Sequence, residues 1–84
     1  MILHFHFVKV KDQAYLIAFG NHLKKILNDK GLSPDDVATF ANIETKQVYR
    51  AINAERSITI STLQAIAKGL EVHPKKLLDF EFDS

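Results

Sequence analysis

The sequence contains no cysteine among its 84 residues. This absence excludes a disulfide framework and a thiolate metal site, and it suits a reducing cytoplasm. No apolar run approaches the roughly 20 residues that a helix needs to cross a bilayer. The apolar start of the chain lacks the basic segment and the small-residue cleavage site of a secretory signal. We therefore expect a cytoplasmic protein with no membrane span.

Catalytic motifs are equally scarce. The chain has only three glycines, and it has no Gly-rich phosphate loop, no nucleophile elbow and no HExxH. Asp35 and Asp36 are adjacent, so on a helix they diverge by about 100° and cannot form a carboxylate dyad. His4 and His6 would share one side of a strand, but no Cys, Asp or Glu before Asp12 completes a zinc site. We predict that the chain is not an enzyme and binds no metal or other cofactor.

Length and composition predict one domain with one small core. Of the 84 residues, 46% are apolar and 10% are aromatic, which is enough for a single small core. The net charge is only +1, which is low for a protein that binds nucleic acid. The distribution of charge is more informative, because residues 79–84 contain three acids and no base. We expect this end of the chain to face away from DNA.

The most informative stretch is residues 33–53, SPDDVATFANIETKQVYRAIN. Its apolar residues recur at helical spacing on both sides of Asn42, which predicts two short helices. A tight link between packed helices requires a left-handed residue, and Asn adopts that conformation more readily than any residue except Gly. Ala38 is small at the point where the two helices should cross. The stretch therefore predicts a helix-turn-helix motif.

The exposed face of the second motif helix carries mainly hydrogen-bond donors, with Glu44 as its single neighbouring acid. Such a face suits contacts with phosphates and base edges, as in a DNA-binding helix-turn-helix. We expect Gln47 and Lys46 to contact bases, since Gln pairs well with adenine and Lys with guanine. We expect Arg50 to contact or support a phosphate, and Arg56 to reach the backbone. The predicted DNA-binding residues are Ser33, Thr45, Lys46, Gln47, Tyr49, Arg50, Asn53 and Arg56.

The run GLSPDDVATFANIETKQVYRAINAE resembles the Cro and phage-repressor type of helix-turn-helix, often called the Xre family. The resemblance continues through ITISTLQAIAKGLEVHPKKLLDF and covers roughly residues 19–80. It implies sequence-specific binding of double-stranded DNA by a transcriptional regulator. Three residues depart from the family pattern. Pro34 replaces a phosphate-contacting Gln, Ile52 replaces a frequent Glu, and Ala54 replaces a frequent Gly.

The predicted fold is all-α, a five-helix repressor-like domain over residues 12–84, preceded by a short β arm over residues 1–11. Residues 1–10 alternate in the way that is typical of a strand. A strand needs a partner, and two are open: the tail at residues 78–82 or the same strand of a second molecule. Asp12 is the predicted cap of a first helix over residues 13–30. Ser61 is the predicted cap of a fourth helix over residues 62–69, and a fifth helix is expected from His73 and Pro74.

The partner predictions follow from this arrangement. The family resemblance implies two-fold operators, so we predict a homodimer with recognition helices about 34 Å apart. Two interfaces are open, namely antiparallel pairing of the arm at residues 2–10 and contact through the fifth helix around residues 77–80. The alternative function is a protein-interaction module with weak or no DNA binding. It would be either an antitoxin with a toxin partner or a dimerising scaffold.

Overall fold

The computed structural model describes the backbone of residues 2–82 and the side chains of residues 13–82. Over this range the chain forms four α-helices and one short 3-10 helix, without a β-strand, so the all-α class is confirmed there. The elements are α1 (Ile2–Lys30), α2 (Pro34–Ala41), α3 (Thr45–Ile52), α4 (Ile60–Leu70) and the 3-10 helix (Pro74–Leu78). None of these helices combines the length and the apolar character needed to cross a membrane.

The predicted β arm is wrong, because α1 runs without interruption from Ile2 to Lys30. Asp12, the expected helix cap, therefore lies inside the helix. A helix satisfies its backbone N–H and C=O groups internally, whereas a strand requires a partner. No partner strand exists among residues 2–82. The segment therefore satisfies its backbone hydrogen bonds as a helix. The side chains of residues 1–12, including His4 and His6, lie outside the described residues.

The motif at α2 and α3 follows the prediction closely. Ser33 caps α2: its Oγ accepts a hydrogen bond from the Asp36 N–H at 3.1 Å, and its own N–H donates to Asp36 Oδ2 at 2.9 Å. This reciprocal capping box satisfies two backbone groups that would otherwise lack partners. Asn42 ends α2 in the left-handed conformation, with φ 59° and ψ 46°. Glu44 precedes α3 as expected, although its side chain makes no capping hydrogen bond.

The last two elements differ from the prediction at their boundaries. Thr59, not Ser61, caps α4, and its hydroxyl accepts a hydrogen bond from the Thr62 N–H at 3.0 Å. The expected fifth α-helix is a 3-10 helix of five residues. The His73 side chain accepts from the Lys75 N–H at 3.1 Å and closes this tight turn at its start. Tight 3-10 geometry is common in such short pieces, so the five-α-helix count is wrong.

The core lies where α1, α2, α3 and α4 meet, and the 3-10 helix closes it. Its largest fully buried side chains are Leu23, Leu27, Val37, Val48, Ile66, Leu70 and Leu77. The sequence predicts seven buried core residues, namely Val37, Ala38, Ile43, Val48, Leu63, Ile66 and Leu70. Burial of Val37, Ala38, Val48, Ile66 and Leu70 is confirmed. Ile43 and Leu63 were also expected to be buried, but they are half-buried and pack on the edge of the core. Ile43 lies in the turn between α2 and α3, and Leu63 lies in the first turn of α4.

The C-terminal segment folds back onto α1 through aromatic contacts. The Phe80 ring centroid lies 5.2 Å from that of Tyr15 and 5.3 Å from that of His22. Phe82 meets Tyr15 edge-on at 5.0 Å. The His22 Nε2 atom also hydrogen-bonds the Lys76 carbonyl oxygen at 2.8 Å. These contacts hold the 3-10 helix against the second half of α1.

Candidate nucleic-acid interface

The burial pattern of α3 determines which of its side chains face solvent. Val48 and Ala51 are buried against the core, and Ile52 packs beside them. On a helix the residues opposite this apolar stripe must face outward. Lys46 and Asn53 are exposed there, and Tyr49 keeps 43% of its surface exposed. The face expected to contact DNA is therefore accessible.

Four of the predicted DNA-binding residues line one cleft beside α3. Lys46, Gln47, Arg50 and Arg56 share this cleft of about 170 Å³ with the segment that leads into α4. Its charged residues are three cations and one acid, Glu44. Glu44 Oε2 lies 3.8 Å from Lys46 Nζ in an exposed pair, which contributes at most about 1 kcal/mol. The cleft is therefore basic, although the chain as a whole is nearly neutral.

Two more predicted residues lie on the other side of α3. Tyr49 and Asn53 line a cleft of about 220 Å³ between α1 and α3, together with Lys24 and Asn28 of α1. The structure thus divides the predicted set between two flanks of one helix. Thr45 is half-buried at the start of α3, and it lines neither of these two clefts.

Ser33 is separated from the basic cleft and has its own partners. The Ser33 N–H and hydroxyl oxygen both bond to Asp36. The hydrogen bond from the Ser33 backbone lowers the pKa of the Asp36 carboxyl below its ordinary value, and the Ser33 side chain adds to this effect. The carboxylate is therefore ionised beside Ser33, and its charge opposes an approaching phosphate. The Ser33 assignment stays a prediction, and only its hydroxyl hydrogen is left for DNA.

A group that the sequence prediction missed lies next to Gln47. The Thr62 hydroxyl, on α4, donates a hydrogen bond to Gln47 Oε1 at 3.3 Å. Thr59, Thr62 and Ser57 also line the basic cleft. Fifteen residues separate Gln47 from Thr62, so no local sequence pattern links them, and Thr62 looks only like an early residue of a helix.

The three departures from the family pattern occupy specific positions. Pro34 is the first residue of α2, where its missing N–H costs no hydrogen bond. Ile52 is the last residue of α3, and it packs against the core. Ala54 has φ 57°, a left-handed conformation that suits Gly better than Ala.

Comparison with a known family agrees with this geometry. The model of the Cro/C1-type helix-turn-helix DNA-binding domain matches residues 22–83. The match includes the whole motif, both flanks of α3 and the C-terminal 3-10 helix. No curated protein matches the chain.

Solved structures provide three further points of comparison. The restriction-modification controller protein C.AhdI from Aeromonas hydrophila is 25% identical with a TM-score of 0.73, over 76% of this chain and 97% of its own. The controller protein C.Esp1396I is 29% identical with a TM-score of 0.70, over 77% of this chain and 84% of its own. An HTH_3 family transcriptional regulator from Vibrio cholerae is 30% identical with a TM-score of 0.74, over 80% of this chain and 38% of its own. The chain belongs to the Cro/C1-type helix-turn-helix DNA-binding family and is a DNA-binding regulator of transcription.

Proposed function

We propose that α3 enters the major groove of double-stranded DNA and that its exposed face selects the binding site. The main support is the placement of α3, whose apolar stripe is buried while Lys46, Tyr49 and Asn53 remain exposed. An α-helix fits the major groove, where each base pair presents a distinct pattern of donors and acceptors. Lys46 and Gln47 are the residues that we assign to bases.

The two clefts beside α3 suggest how phosphates are held. Arg50 and Arg56 line the basic cleft on the α4 side, and we assign both to one DNA strand. Tyr49 and Asn53, in the cleft on the α1 side, are placed to meet the opposite strand. Phosphate contacts of this kind fix the position of a protein on DNA, while base contacts select the sequence. Thr45 and Ser33 complete the proposed set at the starts of α3 and α2.

We also propose that the active form is a homodimer. With the β arm excluded, the interface that fits best is the surface near the 3-10 helix. Ile60 is 84% exposed and Leu78 is 45% exposed, and both border an apolar groove of about 150 Å³ with Tyr15 and Leu63. Exposed apolar clusters of this kind mark association surfaces. Two copies would place two α3 helices about 34 Å apart, to match one turn of DNA.

The role of the similar proteins suggests a biological setting. C.AhdI is a restriction-modification controller that this chain matches over 97% of its length. On this similarity we propose a comparable controller role for this chain. A protein that acts on DNA must reach it, so the proposal includes a cytoplasmic location. The alternative antitoxin-like role with a toxin partner gains no support from the proteins named above.

Selection of bound sites from random duplex DNA tests the proposal directly. An enriched palindrome would support site-specific binding by a two-fold dimer, and its half-site spacing would measure the distance between the α3 helices. Gln47→Ala should lose roughly 1–3 kcal/mol on the selected site and relax the choice at one base pair. If the selection at low salt recovers DNA in which no sequence is enriched, that result would contradict specific binding.

A further inference from the structure

Three consecutive hydrogen bonds lead from the start of α4 to Gln47 of α3, and each hydroxyl in the series accepts one bond and donates the next. The Thr59 hydroxyl accepts from the Thr62 N–H at 3.0 Å and donates to the Thr62 hydroxyl at 3.1 Å. The Thr62 hydroxyl oxygen is thus already an acceptor, and its own hydrogen is directed to Gln47 Oε1 at 3.3 Å. The series ends on the Gln47 carboxamide.

These hydrogen bonds determine whether the Gln47 side chain offers DNA a donor or an acceptor. A carboxamide has an acceptor oxygen and two N–H donors. Its oxygen already accepts from Thr62, and no described residue accepts from Nε2 within residues 13–82. Gln47 also lines the basic cleft together with Arg50 and Arg56. The group left for DNA is therefore the donor end of the amide.

We propose that Thr62 is a positioning residue that holds Gln47 as a hydrogen-bond donor toward DNA. The inference rests on the proposed function and refines one of its contacts. The atom that Gln47 meets is a hydrogen-bond acceptor of DNA, either on a base edge, such as guanine O6 or N7, or on a phosphate. Bidentate pairing with adenine requires the amide oxygen to accept from N6, and Thr62 competes for that oxygen.

The test uses Thr62→Val, which keeps the shape of the side chain but lacks the hydroxyl, and Thr62→Ser, which keeps the hydroxyl. Thr62→Val should weaken binding to the selected duplex roughly three- to tenfold, the equivalent of one neutral hydrogen bond. Thr62→Ser should bind like the parent. In a Gln47→Ala background, Thr62→Val should have no further effect, because its influence passes through Gln47. Independent, additive losses would overturn the proposal.

The affinities for the selected duplex and for a random duplex together identify the DNA group that accepts from Gln47. If Gln47 donates to a base, Thr62→Val loses affinity on the selected duplex alone, and repeated selection shifts the affected position toward adenine. If Gln47 donates to a phosphate, the loss is equal on selected and random duplexes. Either pattern supports positioning by Thr62, whereas wild-type affinity of Thr62→Val on both duplexes contradicts it.

A measurement without DNA separates this inference from the proposed function. NMR scalar couplings that report the side-chain torsions of Gln47 should indicate a single rotamer in the parent and in Thr62→Ser. Thr62→Val should show averaged couplings. Averaged couplings in the parent protein would overturn the inference even if the protein binds DNA well. A single rotamer in a protein that binds no DNA would contradict the proposed function alone.

Discussion

The backbone of Gly20 in α1 lies directly against the carbonyl oxygen of Ile52, the last residue of α3. A Cβ atom at residue 20 would contact that oxygen and would lie 2.9 Å from the carbonyl oxygen of Ala51. Such contacts with backbone atoms cannot be relieved by rotating a side chain. Because Gly20 has no side chain, α1 crosses close to the end of α3. This contact sets the position of α3, the proposed recognition helix.

Gly20→Ala should destabilise the protein although Ala has the higher helix propensity. Relief of the clash requires α1 and α3 to move apart, and overpacking of this kind costs roughly 1–3 kcal/mol. Asn21→Ala is the matched control, because Asn21 is exposed on the neighbouring position of α1. The free energy of unfolding from urea titration should fall for Gly20→Ala alone. Equal stability of the two variants would show that the helices do not meet closely at Gly20.

Glu71→Gly should stabilise the protein by about 1 kcal/mol, because glycine adopts the left-handed conformation without steric cost. Glu71 is exposed and ends α4 with φ 58°, a left-handed conformation that is unfavourable for residues with a Cβ atom. Glu71→Ala removes the same carboxylate but keeps the Cβ atom, so it separates the backbone effect from the charge effect. Thermal unfolding of both variants checks the prediction. A rise in Tm for Glu71→Ala as large as that for Glu71→Gly would assign the gain to charge.

Protonation of Asp36 should remove part of the stability of the protein in acid. The hydrogen bonds from Ser33 lower the pKa of Asp36 in the folded state. A carboxyl with a lowered folded pKa stabilises the fold above its unfolded pKa, and this contribution disappears as the pH falls through the folded pKa. Urea unfolding measured from about pH 6 to about pH 2 should therefore show that the free energy of unfolding falls in acid. The fall should be smaller in Asp36→Asn. An identical pH profile in the variant would contradict the capping-box contribution.

Arg50→Ala should weaken binding on all DNA sequences alike and reduce the salt slope by about one unit. The reason is that a lost phosphate contact releases one fewer counterion. Lys68→Ala is the control, since Lys68 lines a different cleft with Lys30 and Phe40. Titrations of duplex binding at several salt concentrations give the slope. An unchanged slope in Arg50→Ala would remove Arg50 from the phosphate contacts.

Ile60→Glu should convert the proposed homodimer to a monomer. The exposed apolar side chain at the start of α4 borders the proposed interface, and an acid in the first helical turn remains compatible with folding. Phe40→Glu is the control, because Phe40 is 61% exposed on α2 and lies outside that groove. Sedimentation measures the mass of each variant. A monomer in Phe40→Glu with a dimer in Ile60→Glu would move the interface to α2.

The helix-turn-helix was predictable because its signals are local. Ser33 and Pro34 mark the start of α2, Asn42 supplies the left-handed turn, and the apolar spacing at Val37 and Val48 gives the buried faces. Each of these features depends on residues a few positions apart. The family resemblance rests on the same features, and the Cro/C1-type match confirms it.

The start of the chain shows where local pattern fails. The alternation over residues 1–10 predicted a strand, yet a strand depends on a partner that lies elsewhere in the chain or on another molecule. α1 continues through this segment instead. The C-terminal segment packs Phe80 and Phe82 against Tyr15 and His22 of α1 instead of pairing as a strand. Strand pairing is a non-local event, so a single stretch of sequence could not decide it.

The sequence by itself determined the motif, the buried faces of α2, α3 and α4, and which polar side chains α3 presents, because helical periodicity relates residues within one or two turns. Only the tertiary structure decided that Gly20 meets Ile52, that Thr62 bonds Gln47, and that Arg56 joins Arg50 in one cleft. Gly20 and Ile52, like Gln47 and Thr62, are distant in sequence, and they come together only when α1 packs on α3 and α4 packs on α2 around the shared apolar core.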